Sequence, residues 1–365
     1  MPADPIPWIL ASDEPYARLA VFLRIEGRPA EDAEVRKAKA AVLADPGVRS
    51  LIDRLPDWES ETVCSGHNSP SYTPNLIHLL ADLGLARGDS PRVDRILNHM
   101  LRHQDGDGRF LALGRWRNMP GPVWGALFCD AHSLADLLIR FGFGDEPRVK
   151  RALDRMAADM SVTAQGPGWL CRPDPQTKFR GPGRKDEICP QVTLEALRAF
   201  GRVPKERRPS GVMDAARSAL DVWRGRGVAK PYMFGHGRTF KTVKWPPFWY
   251  DASFVLDALS GLPDVWRGPQ ARPQDRRSTA ELAAVLLAYN FGPDGRVTPR
   301  SCYKGFESFS FGRKKVPSPY ATAHLIGLLK KTADLASEIS RVDVLSLTSS
   351  KGGTGTALPP KQGPN

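Results

Sequence analysis

The 365-residue sequence has no long apolar run and only five cysteines. A bilayer-spanning helix needs about 20 predominantly apolar residues, so we expect no transmembrane segment. The first residues, MPADPIP, lack the basic flank and apolar stretch of a secretory signal. An odd number of cysteines in a long chain also fits a reducing compartment better than a disulfide scaffold. These absences predict a cytoplasmic protein.

Strand-like alternation of apolar and polar residues is rare, and recognisable catalytic fingerprints are absent. No P-loop, dinucleotide fingerprint or Ser-His-Asp order fits its structural context. Acidic residues are also outnumbered, because 40 Asp and Glu face 52 Lys and Arg, which gives a formal charge of +12. Such an excess favours anionic partners, although a solvated arginine-rich surface would produce it too.

A pair of helices recurs along the chain. Ser71 to Gly84 reads SYTPNLIHLLADLG, with leucines at helical spacing, and SPRV at 90–93 opens a second helix. The apolar first helix returns near Cys129, Cys189, Asp251 and Tyr320, at intervals of roughly 55 to 70 residues. The second helices are predicted at 91–103, 147–159 and 212–224.

One such hairpin cannot bury both of its apolar faces, so neighbouring hairpins must stack. We therefore predict an all-α protein in which first helices form an inner ring and second helices an outer ring. Residues 1–344 are expected to form one domain, with capping helices at 8–54 that end in a Pro46-Gly47 turn, and repeats at 55–335. Residues 345–365 lack apolar periodicity and are expected to be disordered.

The turns after the second helices suggest a family. Gln104 to Phe110 reads QDGDGRF, 164–169 reads AQGPGW, and 290–295 reads NFGPDG. With the hairpin period and the SPRV and EPRV helix starts, these turns resemble the Gln-x3-Gly-x-Trp motif of the squalene-cyclase and prenyltransferase-repeat superfamily. The resemblance covers residues 8–335 and implies an α/α toroid with a central cavity. It implies a terpenoid cyclase-like or prenyltransferase-like activity on an isoprenoid or another anionic apolar substrate.

The superfamily's own chemical motifs are absent. Its class II cyclases protonate their substrate with Asp-x-Asp-Asp, and its protein prenyltransferases bind zinc through an Asp-x-Cys pair. Neither occurs in this sequence. The resemblance therefore implies a fold and a cavity but not a particular reaction.

The cysteines are candidate metal ligands. Cys129 and Cys189 lie at equivalent starts of neighbouring first helices, and Cys171 lies in the loop between them. Because helix starts on one end of a barrel converge, these thiolates could bind zinc, with Cys64 and His67 nearby in the sequence. The alternative is that they are buried packing residues.

Two acidic residues are candidate catalytic groups. Asp251 and Asp130 lie at first-helix starts, where they would project toward a central cavity. A desolvated carboxyl group there could act as a general acid. The alternative is that each caps the start of its helix.

Three loops that precede first helices combine cations with aromatic residues. These basic loops comprise residues 172–185, 236–244 and 300–315, and a closed barrel would gather them at one end. Cations beside rings suit an anionic group with an apolar or planar body. The candidate binding residues are Lys178, Arg180, Arg184, Lys185, Arg238, Lys241, Lys244, Lys304, Arg313 and Lys314.

Two functions remain open from the sequence. The first is an enzyme that holds an anionic apolar substrate in the cavity. The second is a non-catalytic scaffold that binds nucleic acid, a nucleotide or an acidic protein through the basic loops. A glycan-active barrel is a third reading, but no carboxylate pair across a cleft supports it.

Overall fold

The computed structural model describes residues 4–60, 69–115, 119–229 and 238–348. These residues are mostly helical, which confirms the predicted all-α class. In chain order the helices are α1 (Ile6–Leu10), α2 (Pro15–Ala20), α3 (Ala33–Ala44), α4 (Pro46–Asp53), α5 (Thr73–Asp82), α6 (Pro91–Arg102), α7 (Phe128–Leu138), α8 (Pro147–Ala158), α9 (Pro190–Arg202), α10 (Val212–Ala229), α11 (Arg238–Lys241), α12 (Ala252–Ser260), α13 (Pro273–Asn290), α14 (Pro319–Lys330) and α15 (Ala336–Ser340).

Proline opens many of these helices. It occupies one of the first two helical positions in α2, α4, α5, α6, α8, α9, α13 and α14. Proline is tolerated there because its missing N–H would have no partner inside the helix. The high proline content of the chain therefore marks helix starts as well as loops.

The predicted hairpins agree with these bounds. The five first helices are α5, α7, α9, α12 and α14, and the predicted second helices are α6, α8 and α10. Two helices run on as π-helical turns: α2 continues through Val21–Glu26, named π1 here, and α7 continues through Ile139–Phe143, named π2. Gly27 follows π1 and Gly142 lies within π2, both with positive φ, which glycine adopts without strain.

Residues 8–54 contribute more than the predicted cap. Helix α2 packs against both α3 and α14, and π1 also packs on α14. Arg24 of π1 also donates to the backbone oxygen of Asp82, the last residue of α5, at 2.9 Å. Pro46 does not form the predicted turn, because Asp45 accepts the N–H of Val48 at 2.9 Å and caps the start of α4.

Contacts between first helices run from one hairpin to the next. Helix α5 packs on α7, α7 on α9, α9 on α12, and α12 on α14. Three of them also contact the second helix that follows: α8 lies on α7, α10 on α9, and α13 on α12. The buried apolar residues form one continuous cluster that includes residues of all these helices.

The loops between the helices contain short paired strands. Antiparallel pairs form between β1 (Ala112–Arg115) and β2 (Pro122–Gly125), and between β3 (Ser161–Thr163) and β4 (Gly166–Gly168). A parallel pair, β5 (Lys244–Trp245) and β6 (Ser301–Cys302), aligns Lys244 with Ser301. Among the described residues, no helix has the length and apolar character that a membrane span requires. Of the predicted disordered tail, residues 346–348 form a 3-10 turn, and 349–365 lie outside the described residues.

The Gln104 turn is tied to a neighbouring helix. The Gln104 side-chain amide donates to the oxygens of Gly108 and of Arg148 in α8, both at 2.8 Å. Gly108 has a φ of 102°, and Phe110 is fully buried. Trp169 of the shortened copy is also buried, and its indole N–H donates to Met156 O at 2.7 Å. These turns therefore attach to the neighbouring second helix, α8.

Candidate functional site

A cavity of about 570 Å³ lies between the first helices. It is lined by residues of α5, α7, α9, α12 and α14, and by Leu23 and Arg24 of π1. Along α5, α9, α12 and α14 the lining residues recur every three or four positions, as Glu195, Arg198 and Arg202 do on α9. That spacing places them on one face of the helix.

The cavity opens toward the C-terminal ends of these helices. Lys331, which follows α14, has a side chain that is 50% exposed, and Arg202 at the end of α9 is 32% exposed. Lining residues nearer the helix starts, such as Glu195, Ser253 and Tyr250, are buried. The cavity thus has an exposed mouth at the helix ends and a buried inner part.

Cations outnumber carboxyl groups in the lining. The carboxyl groups are Asp82, Glu195 and Asp257. The cationic residues are Arg24, Arg140, Arg198, Arg202, Lys330 and Lys331. Apolar wall is supplied mainly by Leu79, Phe248, Phe254 and Leu328.

At the mouth, two arginines share one carboxylate. Asp82 Oδ1 lies 2.6 Å from Arg140 Nη2 and 3.2 Å from Arg24 Nη2. Burial works to raise the pKa of Asp82, but Arg140 and Arg24 hold it well below its ordinary value. Arg24 comes from π1 and Arg140 from π2, so both π-helical turns present an arginine to the end of α5.

Deeper in the cavity, Arg198 lies among carboxylates from neighbouring helices. Its Nε is 3.2 Å from Asp257 Oδ2, and its Nη2 is 3.6 Å from Asp136 Oδ2. Asp136, fully buried behind the lining, also binds Arg202 Nε at 2.5 Å. Burial would raise the pKa of Asp257, yet Lys331, Arg198 and Arg202 hold it below its ordinary range. The guanidinium of Arg198 also stacks 4.6 Å from the ring centre of Phe254.

Glu195 is the carboxyl group in the buried part of the cavity. Tyr250 donates its hydroxyl to Glu195 Oε1 at 2.9 Å, while Oε2 has no hydrogen-bond partner among the described residues. Burial raises the pKa of Glu195 to about 7, against the opposing effect of Arg198. At neutral pH, Glu195 therefore exists in both its protonated and its ionised form.

Two neutral histidines complete the lining. Neither ring nitrogen of His78 has a hydrogen-bond partner in the described part of the chain. Burial, followed by the charge of Arg198, lowers the pKa of His78 to about 3. His324 Nδ1 accepts from Arg24 Nη1 at 3.1 Å, and burial lowers its pKa to about 4. His78 is thus a neutral lining residue, with Nε2 3.9 Å from Asp136 Oδ2.

The two acids predicted from the sequence lie elsewhere. Asp251 Oδ1 caps α12 by accepting the N–H groups of Ser253 at 2.9 Å and Phe254 at 3.2 Å. Asp130 accepts the hydroxyl of Tyr72 at 2.8 Å. Both are buried, but neither lines the cavity. The capping alternative is therefore confirmed for Asp251, although burial raises its pKa to about 7.

The predicted basic residues are not part of the cavity. Their loops lead into the starts of α9, α12 and α14, whereas the mouth lies at the helix ends. Two of these loops meet where β5 pairs with β6. Lys244 Nζ lies 3.7 Å from the ring centre of Tyr303, and Lys241 Nζ lies 5.1 Å from that of Tyr289. The side chain of Arg238 lies outside the described residues. The exposed members are Lys178, Arg180, Arg184, Lys185, Lys304, Arg313 and Lys314.

The cysteines do converge at the helix starts. Cys189 precedes α9, Cys171 contacts it, and Cys129 in the first turn of α7 is close enough to influence the charge of both. Within the described residues, however, no group of three or more His, Cys, Asp and Glu is arranged to hold a metal ion. Cys64 and His67 lie outside those residues, so the zinc site stays a prediction.

Sequence reasoning missed the cavity residues for an identifiable reason. Glu195, Arg198 and Arg202 follow the same three-to-four spacing as a solvent-facing stripe. What distinguishes them is that the stripe recurs on successive first helices, as with His78 and Asp82 on α5. Comparing equivalent positions across the repeats would have found it.

The chain was compared with protein-family models, curated proteins and solved structures, and it matches none of them.

Proposed function

We propose that the five predicted hairpins, with α2 and α3 as a sixth, form a closed α/α toroid whose central cavity binds a small anionic molecule with an apolar body. The observation that carries this proposal is the lining itself, which combines six cationic residues, three carboxyl groups and an apolar wall. Buried or half-buried charge requires compensation. An anionic ligand would supply the negative charge that the three carboxyl groups of the lining do not provide.

The arginines suit an oxyanion such as a phosphate or carboxylate. Arginine presents a planar fork of donors, and its charge persists in a partly buried site. Arg198 and Arg202 are held in place by Asp136 and Asp257. Residues fixed in this way lose little conformational entropy on binding.

A proton-transfer role belongs to Glu195. It is the buried carboxyl group of the lining, and its Oε2 has no hydrogen bond among the described residues but lies 3.7 Å from Arg198 Nη1. Its pKa of about 7 suits general acid–base catalysis near neutral pH. Tyr250 fixes its orientation through Oε1. The acid of the proposed enzyme is therefore Glu195 rather than Asp251 or Asp130.

Isothermal titration calorimetry with three probes tests the binding proposal. Farnesyl diphosphate combines the anion and the apolar chain, whereas inorganic diphosphate and farnesol each carry one part. We expect farnesyl diphosphate to bind most tightly. Arg202→Gln should weaken its binding about tenfold or more, because a charge-assisted hydrogen bond contributes roughly 1.5–3 kcal/mol.

Arg276→Gln is the matched control, because Arg276 is similarly exposed and also bound to acids, but lies on α13 away from the cavity. Its affinity should equal that of the unmodified protein. Equal affinities for the Arg202 and Arg276 variants, or no binding of any probe, would contradict the proposal.

A scaffold that binds a polyanion is the second candidate. It is favoured by the exposed cations of the basic loops and by the stacking of Lys244 on Tyr303. Binding of a fluorescent single-stranded oligonucleotide distinguishes the two functions. Lys304→Glu with Arg313→Glu should abolish it and Arg202→Gln should not, and the affinity should fall steeply with salt.

A further inference from the structure

Cys171 and Cys189 lie together at the start of α9, away from the cavity. Two backbone contacts bring them there. Leu170 pairs with Ile188 in an antiparallel bridge, and Cys189 N donates to Trp169 O at 2.8 Å. The 17 residues between the two cysteines form a loop that leaves and returns at this bridge.

Two glycines of the loop, Gly181 and Gly183, pack against the sulfur atoms. A Cβ added at Gly183 would lie 3.2 Å from Cys171 Sγ and 3.3 Å from Cys189 Sγ. One added at Gly181 would lie 3.1 Å from Cys171 Sγ. The loop therefore packs directly over both sulfurs, which share a hydrogen bond. This close packing has no role in the proposed cavity chemistry.

The two thiols differ in environment. Cys189 is buried, whereas Cys171 is half-buried and lies near Arg180. The backbone N–H groups of Gly183 and Gly181 lie at the Cys171 sulfur. A more accessible thiol beside a buried one is the arrangement of an attacking and a resolving cysteine.

We propose that Cys171 and Cys189 are a redox-active pair that hydrogen peroxide converts to a disulfide. The Cys171 thiolate attacks one peroxide oxygen, the O–O bond breaks, and hydroxide leaves, giving a sulfenic acid at Cys171. The Cys189 sulfur, losing its proton, then attacks the Cys171 sulfur and displaces the second oxygen as water. Two electrons pass from the two sulfurs to the peroxide.

The bond would tie both ends of the 172–188 loop at one point. That loop carries four of the candidate binding residues, all of them exposed: Lys178, Arg180, Arg184 and Lys185. Oxidation would thereby restrict the loop without altering the cavity lining, which includes neither cysteine.

Differential alkylation with mass spectrometry tests the proposal on the full-length reduced protein. After treatment with peroxide at pH 7, we expect a peptide cross-linked through Cys171 and Cys189. Cys302 provides the internal comparison, because burial raises its pKa and its thiol donates to Phe311 O at 3.3 Å. Cys171 should react about fivefold faster or more, because backbone N–H groups and Arg180 lie near its sulfur, whereas a carbonyl oxygen lies against the sulfur of Cys302.

Variants separate the two roles. Cys189→Ser should leave Cys171 as a sulfenic acid that dimedone traps, Cys171→Ser should form no cross-link, and Cys302→Ser should behave as the unmodified protein. Circular dichroism checks that each variant is folded. Three results would overturn the proposal: a Cys171 no faster than Cys302, a cross-link from Cys171 to another cysteine, or thiols that react only after stoichiometric zinc has been chelated.

Discussion

At the scale of the residue, the surroundings of each buried acid decide whether its pKa is raised or lowered. Asp82 and Asp257 lie beside arginines and have lowered pKa values. For Glu195 and Asp251, burial dominates and raises the pKa to about 7. Of these two, only Glu195 lines the cavity. A carboxyl group is thus a fixed charge beside arginine and titrates near neutral pH where burial dominates.

Glu195→Gln should change how stability depends on pH. In the unmodified protein, Glu195 keeps its proton up to about pH 7, whereas in the unfolded chain it loses it near pH 4.5. The free energy of unfolding therefore falls as pH rises between these values, by at most about 3 kcal/mol for this residue. Glutamine cannot titrate, so urea unfolding at pH 5 and pH 8 should show a smaller difference for the variant.

The exposed Glu206 supplies the control, and Glu206→Gln should retain the full difference between the two pH values. A Glu195→Gln difference equal to that of the unmodified protein would show that Glu195 titrates normally.

Sequence reasoning reached Asp251 because it recognises helix starts, and the helix-start position is what commits Oδ1 to capping. Glu195 lies one turn inside α9, where a charged residue between leucines suggests a surface stripe. Whether that stripe faces water or a cavity depends on which other helices pack around it. The helix alone therefore predicts the residue's spacing but not its environment.

At the scale of the element, first helices approach closely where glycine allows it. Gly201 in α9 and Gly261 after α12 meet so tightly that a Cβ at Gly261 would lie 2.6 Å from Gly201 Cα and 2.7 Å from its oxygen. No real Cβ occupies such a position without movement of the backbone. The contact sets the distance between the ends of α9 and α12, which carry Arg202 and Asp257.

Gly261→Ala should lower the free energy of unfolding by about 1–3 kcal/mol, because the helices must separate to admit the methyl group. Gly225→Ala is the opposite case. Gly225 lies within α10 with nothing near its missing Cβ, so alanine should stabilise the helix by about 0.5–1 kcal/mol. Urea unfolding curves of the two variants measure both effects, and the idea fails if Gly261→Ala is the more stable.

Helix positions were largely predictable, because apolar spacing and proline at helix starts both depend on local sequence. The sixth first helix was missed, although α2 and α14 both begin with Pro-Tyr-Ala, at 15–17 and 319–321. The rings of Tyr16 and Tyr320 lie 5.6 Å apart. The π-helical turns have no comparable signal in the sequence, because one extra residue in a helix barely changes the spacing of its apolar residues.

At the scale of the whole molecule, the first and last hairpins lie side by side. Helix α2 packs on α14, which begins 304 residues later, and Glu14 accepts the N–H of Tyr320 at 3.1 Å. Long-range pairing of this kind requires both ends of the chain to be present. Helix α2, which was predicted to belong to a cap, therefore contacts the last of the predicted first helices.

Deleting residues 1–27 should therefore expose the apolar face of α14 and lower the melting temperature by about 10 °C or more. The truncated protein should also bind the dye ANS, which reports exposed apolar surface. Deleting residues 349–365, whose sequence predicts disorder, is the control and should leave both measurements unchanged. A deletion of 1–27 that melts cooperatively within a few degrees of the full chain would contradict this view.

The orientation of the cavity has one more electrostatic consequence. Every first helix directs its C-terminal end to the mouth, so the negative ends of six helix macrodipoles, roughly half a charge each, converge there. Arg24, Arg140 and Lys330 donate to backbone oxygens of Asp82, His78 and Ile25 at these ends, and so offset the backbone field. The positive ends of the same dipoles lie at the inner end of the cavity. If the cavity binds an anion as proposed, we expect that anion to meet a nearly neutral entrance and to be drawn inward toward Arg198.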